Sequence, residues 1–394
     1  AAEPAPAPAA ADDTGSAPKK YAPQPPKTPL ELMMSVPPPP LMIELPHGFW
    51  LSPEADVQLW ATIVDMDDDA RNNPVVVGDP DHREGFSIRR ARLGLSAGLG
   101  SLARLRVAAG WQDRYDALTP RPTGPRLVEA SFEFTPIQYV GITAGFTRVP
   151  FGRQQINGSM DLALFERAML SNTIAPAREP GVVIGGSMGP VGSAVMPEDA
   201  FSYEIGVSNG TSDFTGDLDP EPRISGRLQL NLFDAWSGRE SRFLEASPAA
   251  LSIGGGVMHN RALEANTTSI GADIGLHVWR IQVQGEIAWS RAIPTFDTAG
   301  IPEVLATRTS FGWYAQFVFA LVPELLEIAA RVDGYDDNLA IDDAGNRLDI
   351  AGGVNLLLLK GRLKMQLNYI HREELLDAAK TANDSLIMVL QARL

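Results

Sequence analysis

Along most of this chain apolar and polar residues alternate one by one, and the polar positions repeatedly carry charge. From Phe86 to Leu95 the sequence reads FSIRRARLGL, and after a Gly turn a second stretch from Ser101 reads SLARLRVAAGW. Ala91, Leu93, Leu95 and Ala97 share one face of the first stretch, and Ala103, Leu105, Val107, Ala109 and Trp111 share one face of the second. The opposite faces carry Arg90 and Arg92, then Arg104 and Arg106, and on this parity Arg89 stands apart from them. Alternation with a period of two marks a β-strand whose faces meet different surroundings. A face with four guanidinium groups cannot be a dry core, because unpaired buried cations are too costly. Hydrocarbon outside and water inside satisfies both faces, which is the condition of a transmembrane β-barrel.

The same pattern recurs often enough to predict about sixteen strands, near 54–66, 86–98, 101–112, 126–135, 138–148, 180–188, 200–208, 223–233, 250–260, 267–278, 280–291, 306–320, 324–335, 346–358, 361–372 and 384–394. Connections after even-numbered strands are mostly very short, as at Leu99–Gly100, Trp279 and Lys360–Gly361, with exceptions around 189–199 and 234–249. Those after odd-numbered strands are longer and polar. Outer membrane barrels combine short periplasmic turns with long extracellular loops. An even strand count places both barrel ends on the short-turn, periplasmic side. The predicted lipid face includes Val128, Ala130, Phe132 and Phe134, then Val140, Ile142, Ala144 and Phe146, and finally Leu386, Met388, Leu390, Ala392 and Leu394. A β-sandwich with a dry core would not present so many charges on the second face.

Residues 1–47 form a separate region rich in Pro and Ala, with a tetraproline at Pro37 to Pro40. Such a segment is extended or disordered and builds no core. Residues 48–394 are the expected barrel domain. The opening AAEPAPAPAA resembles what a processed secretory signal leaves behind. The 394 residues contain no cysteine, which removes disulfides and thiolate metal sites. A net charge of −15 argues against nucleic-acid binding. The acids crowd into polar segments such as Asp65 to Asp69 and Asp336 to Asp343, without the ligand spacing of a calcium loop. No apolar run reaches the length of a spanning helix, which leaves a barrel as the way across a membrane. Gly185-Gly186-Ser187-Met188-Gly189 satisfies the nucleophile-elbow pattern, but Pro190 and Gly192 follow where that elbow needs a helix. The five histidines are scattered. Neither an enzyme nor a cofactor is expected.

The longest insertion runs from Pro150 to Pro180. Within it Met160 to Leu170, MDLALFERAML, is predicted to be helical, with Leu162, Phe165, Ala168 and Met169 on one side and Asn157, Gly158 and Ser159 at its start. Its apolar side needs a surface to cover, so this third extracellular loop is expected to fold into the lumen. Met160, Leu162, Phe165, Glu166 and Arg167 then form the constriction.

Phe86-x-Ile88-Arg89-Arg90-Ala91-Arg92-Leu93, Val149-Pro150-Phe151-Gly152, Phe165-Glu166-Arg167, Arg178-x-x-Gly181-Val182 and Tyr203-x-x-Gly206-Val207-x-Asn209-Gly210 occur in that order. Together they resemble the phosphate-selective porin O/P family of outer membrane proteins. The resemblance implies a sixteen-stranded barrel, usually a homotrimer, whose pore is narrowed by the third loop and lined by basic residues. The chain departs from the family in having only Lys360, Lys364 and Lys380 in its barrel region. Phosphate specificity is therefore not carried over.

The residues expected to line the pore and bind anions are Arg90, Arg92, Arg104, Arg106, Arg153, Arg178, Arg227, Arg331, Arg362, Lys364 and Arg393, with Arg280, Arg308 and Arg347 also on the inward parity. Inward acids are fewer: Glu129, Glu133, Asp273, Glu286, Glu327, Asp333 and Asp349. Arg suits such a wall because its planar fork binds oxyanions and it keeps its charge. The reading is a passive outer membrane porin that prefers small anions, phosphate or other oxyanions among them, with membrane lipid around it. The alternative is a structural anchor whose proline-rich arm tethers the barrel to the cell wall or to a periplasmic partner.

Overall fold

The computed structural model describes residues 41–65, 84–112, 125–137, 139–190, 193, 195–211, 221–236, 238–241, 249–262, 265–295, 307–341, 346–375 and 383–394. Alternating sequence becomes strand in every predicted region. The barrel strands are β1 Phe49–Val64, β2 Gly85–Leu99, β3 Ala103–Gln112, β4 Arg126–Ile137, β5 Val140–Arg148, β6 Arg178–Met188, β7 Phe201–Ser208, β8 Glu221–Leu232, β9 Ala250–Arg261, β10 Ala265–Val278, β11 Ile281–Pro294, β12 Arg308–Val322, β13 Leu326–Asp336, β14 Arg347–Leu358, β15 Leu363–Glu374 and β16 Ser385–Arg393. Each pairs antiparallel with the next, and β16 pairs with β1 from Ser385 opposite Val64 to Arg393 opposite Asp56. This last pairing closes the ring. A two-residue strand, Ile43–Glu44, lies against the start of β1. Most of the proline-rich region falls outside the described residues.

The two faces are inverted relative to a water-soluble fold. Ile270 and Ile274 on β10 are 59% and 50% exposed on the outer surface, while Gln284 and Gln316 on the inner face are 1% exposed. Outward aromatics gather near both rims. Phe134, Tyr139, Phe201 and Trp279 lie toward the short turns, and Phe86, Trp111, Trp289 and Tyr369 lie toward the loops. Trp279 and Trp289 are about ten residues apart, which at roughly 3.3 Å per residue and a tilt near 40° separates the girdles by about 25 Å. That is the height of an outer membrane hydrocarbon band. Among the described residues no helix is long and apolar enough to cross a membrane.

Two bulges shift side chains away from strict alternation. Glu129 pairs with Ala108 but Leu127 pairs with Ala109, so Val128 is the extra residue, and it is buried rather than lipid-facing. Likewise Arg90 pairs with Gln58 and Ile88 with Leu59, which frees Arg89 from the ladder. A third departure sits at Gly145 on β5, whose φ of +121° is open only to glycine without strain. A Cβ there would lie 2.1 Å from the Ala130 carbonyl oxygen.

The outer face makes a direct prediction. Ile287→Arg, at the middle of β11, is expected to lower the unfolding free energy in lipid by about 2–4 kcal/mol. Urea unfolding in vesicles measures it, and an unchanged midpoint would mean that this face does not meet acyl chains.

Candidate functional site

The inner wall is not uniformly polar. Val318 and Ala320 on β12, Ala329 on β13, Ala351 on β14, Ile370 on β15, Ile387 and Val389 on β16 and Trp60 on β1 form one apolar sector facing the lumen. Water cannot wet such a sector cheaply, and the third loop covers it. Ala163, Leu164 and Phe165 join the same buried cluster, with the Phe165 ring edge-on to Trp60 at 5.6 Å. Phe151, Leu170, Ile174 and Ala175 of the loop form a second cluster with Met258 and Ala288 of β9 and β11. Burying each large side chain stabilises this docking by roughly 1.5–3 kcal/mol.

The predicted helix over Met160 to Leu170 does not form. The loop has two short helices instead, α1 Arg153–Ile156 and α2 Met169–Thr173, and a 3-10 turn at Ser159–Asp161. Between them the backbone is irregular because the wall takes its hydrogen bonds. Lys364 donates to the carbonyls of Leu162 (2.7 Å) and Met160 (3.3 Å), and Gln391 donates to Met160 (2.7 Å). Asn355 and Gln366 both donate to the Ala163 carbonyl, and Arg331 donates to that of Glu166 at 2.8 Å. Residues 162–165 are therefore all buried, rather than every third or fourth one. Groups on β2, β13 and β16 reach this one loop, which places their shared face inside the barrel.

The basic side chains divide into three kinds. Some hold the loop. Arg89 (2.8 Å) and Arg90 (2.5 Å) converge on the Glu166 carboxylate, while Arg92 donates to the Ser159 hydroxyl at 3.0 Å. Arg393 bridges Asp56 and Asp161, and Arg167 donates to the carbonyls of Gln154 and Asn157. A second kind is locked into buried pairs: Arg153 and Arg227 share Asp273 at 2.6 Å each, and Arg331 pairs with Asp333 at 2.9 Å. The third kind lines the wall of β3–β6, where the arginine side chains stay partly exposed. There Arg106 joins Glu54 (2.6 Å) to Glu129 (2.8 Å), Arg178 also donates to Glu129 (2.9 Å), and Arg104 sits loosely between Glu54 and Glu133. Arg362 and Arg280 lie in short turns, and Arg308 pairs with Asp337 at the loop rim. Among the described residues no group of acidic and histidine side chains is placed to hold a metal ion.

Arg89, Arg148 and Arg178 escape alternation, the last sharing the parity of outward Val182 and Ile184. Arg89 is brought inward by its bulge and also stacks 5.0 Å over Trp60. Arg148, on the same parity as outward Phe146, faces Arg178 directly across β5 and β6 and has Glu129, Arg167 and Arg106 as further electrostatic neighbours. It forms no ion pair among the described residues. The only trace of this in the sequence is a glycine inside the strand pattern, Gly145, which can mark a bulge.

Burial alone would raise the Glu166 pKa, but Arg90, Arg89 and Arg167 outweigh it and hold the carboxyl well below its usual range. A lowered native pKa means that its contribution to docking is complete above the ordinary value of 4.5 and fades as pH falls through the lowered one. Conductance is expected to stay constant from neutral pH down to about 4.5 and to change only in stronger acid, recorded as single-channel current against pH. Glu166→Gln should abolish that acid transition.

The family model of phosphate-selective porins O and P matches residues 64–213. No curated protein sequence matches the chain significantly. Among solved structures, the outer membrane channel DcaP of Acinetobacter baumannii is similar at 11% identity and a TM-score of 0.57, over 89% of this chain and 99% of that one. The anion-selective porin from Comamonas acidovorans is similar at 12% identity and a TM-score of 0.53, over 88% and 99%. Salmonella typhi OmpF follows at 10% identity and a TM-score of 0.56, over 90% and 100%. The chain folds as a closed sixteen-stranded antiparallel β-barrel like those of the outer membrane porins, and its residues 64–213 match the family model of phosphate-selective porins O and P.

Proposed function

We propose that the protein is a passive diffusion channel that prefers small anions, oxyanions among them, and passes them along the β3–β6 wall. The observation that carries this reading is the pair Arg148 and Arg178, like charges directly opposite each other on adjacent strands. Such a juxtaposition is destabilising unless a negative charge relieves it. Glu129 accepts from both Arg178 and Arg106, and Arg148 forms no ion pair of its own among the described residues. Arg92 adds a guanidinium whose single hydrogen bond is to a neutral hydroxyl. A permeating anion supplies the charge that Arg148 lacks, and the width of a sixteen-stranded barrel leaves room for it to move on. The anion selectivity in the name of the similar Comamonas porin agrees with this reading.

In this reading the short turns and both barrel ends face the periplasm, and the proline-rich arm extends into it. A homotrimer is the proposed assembly. One similar structure, OmpT of Vibrio cholerae, is described in a trimer form.

Reversal potentials across a bilayer in a potassium chloride gradient test the selectivity. The expected sign is anion preference, and cation preference would overturn the reading. Arg148→Ala combined with Arg178→Ala is expected to lower the anion-to-cation permeability ratio several-fold. Arg153→Ala, which removes a cation buried against Asp273, should leave that ratio closer to the native value.

A further inference from the structure

The connection between β8 and β9 is one of the two long ones on the otherwise short-turn end, and its described part, 233–236 and 238–241, does not stay at the rim. Trp236 lies against β10, where a Cβ on Gly275 would come within 2.7 Å of its ring. The guanidinium of Arg153, from the third loop, stacks over that ring at 4.9 Å. Further along, the Ser241 hydroxyl donates to Glu327 of β13 at 2.6 Å. Glu240 lies between these anchors and is fully buried. A segment entering from the short-turn end thus meets, inside the lumen, a loop that enters from the opposite end.

We propose that Glu240 is the positioning residue that pins the constriction loop, so that the bore is set from both ends of the barrel. One carboxylate oxygen accepts from Gln154 of α1 (2.9 Å) and from Gln284 of β11 (2.7 Å). The other accepts from the Ala163 backbone amide (3.1 Å) and from Gln316 of β12 (2.9 Å). The Glu240 amide donates in turn to the Asp161 carbonyl at 3.1 Å. One side chain thereby ties the start and the middle of the loop to two strands of the wall. Its four donors are uncharged amides, so a carboxylate with acceptor positions on both oxygens suits them as no neutral side chain does. Glu240→Gln keeps the shape, but either orientation of its amide sets an NH2 group against two donors. Two bonds are then lost and the loop is released from one side.

The pinning is separate from anion preference, because Glu240 binds the loop and not the open wall. Hydrogen exchange of the full chain in lipid nanodiscs, with single-channel recording, tests it. Glu240→Gln is expected to speed amide exchange over 160–168 at least tenfold, to leave the exchange of β12–β15 unchanged, and to raise open-channel current noise several-fold. Unchanged exchange over 160–168 would overturn the proposal, as would equal loosening of the barrel strands. The native protein decides the matter even where the variant does not assemble. The Ala163 amide, which donates to Glu240, is then read by itself: protection equal to that of β12–β15 supports the pin, and exchange at the rate of an exposed loop removes it.

Discussion

A bilayer supplies no hydrogen bonds, so every peptide group within it must find a partner in the same chain. The pairing of β16 with β1 meets that demand, because without it two strands would show bare edges to acyl chains. Everything else about the wall follows from closure. Once the sheet is a ring, one face looks only outward and the other only inward, and the sequence must serve hydrocarbon and lumen with alternate residues. The exposed Ile and Leu outside and the buried Gln, Asn and Asp inside are the two halves of that single constraint.

The lumen poses the opposite problem, since a cylinder of sixteen strands is too wide for its own side chains to fill. The third loop solves it asymmetrically. Its apolar residues settle on the greasy sector of β12–β16 and β1, and its main chain is tied down by Lys364, Gln391, Asn355, Gln366 and Arg331. The arginine-rich wall of β3–β6 keeps its guanidinium groups partly exposed. In the proposed channel, charge selection and bore size therefore belong to different parts of the molecule: strands carry the first, and a docked loop carries the second.

The strands were legible because period two is imposed twice over, by lipid and by water, along the length of each one. Where a bulge inserts one residue, the parity argument breaks, and this is why Val128 and Arg89 differ from the alternating pattern and why Arg148 escaped it beside Gly145. The loop was legible as an insertion with an apolar side but not as a shape. The Met160 to Leu170 pattern fits a helix only if the backbone bonds to itself, and here long polar side chains from distant strands outcompete those internal bonds. The greasy inner sector left a trace in SLIMVLQAR of β16, where Ile387 and Val389 alternate with Leu386 and Met388 and leave no polar face over those residues. Glu240 left none, because nothing local distinguishes a carboxylate bound for the centre of a barrel from one on a rim.

The two-sided greasiness of that sector bears on how the molecule is made. Before it reaches the membrane the nascent polypeptide is surrounded by water, and there the segments that become β12–β16 have stretches with no wettable side. Strand-forming segments of this kind pair promiscuously with one another and with other chains. The third loop covers that sector only in the finished barrel, so biogenesis must shelter these strands until it is seated.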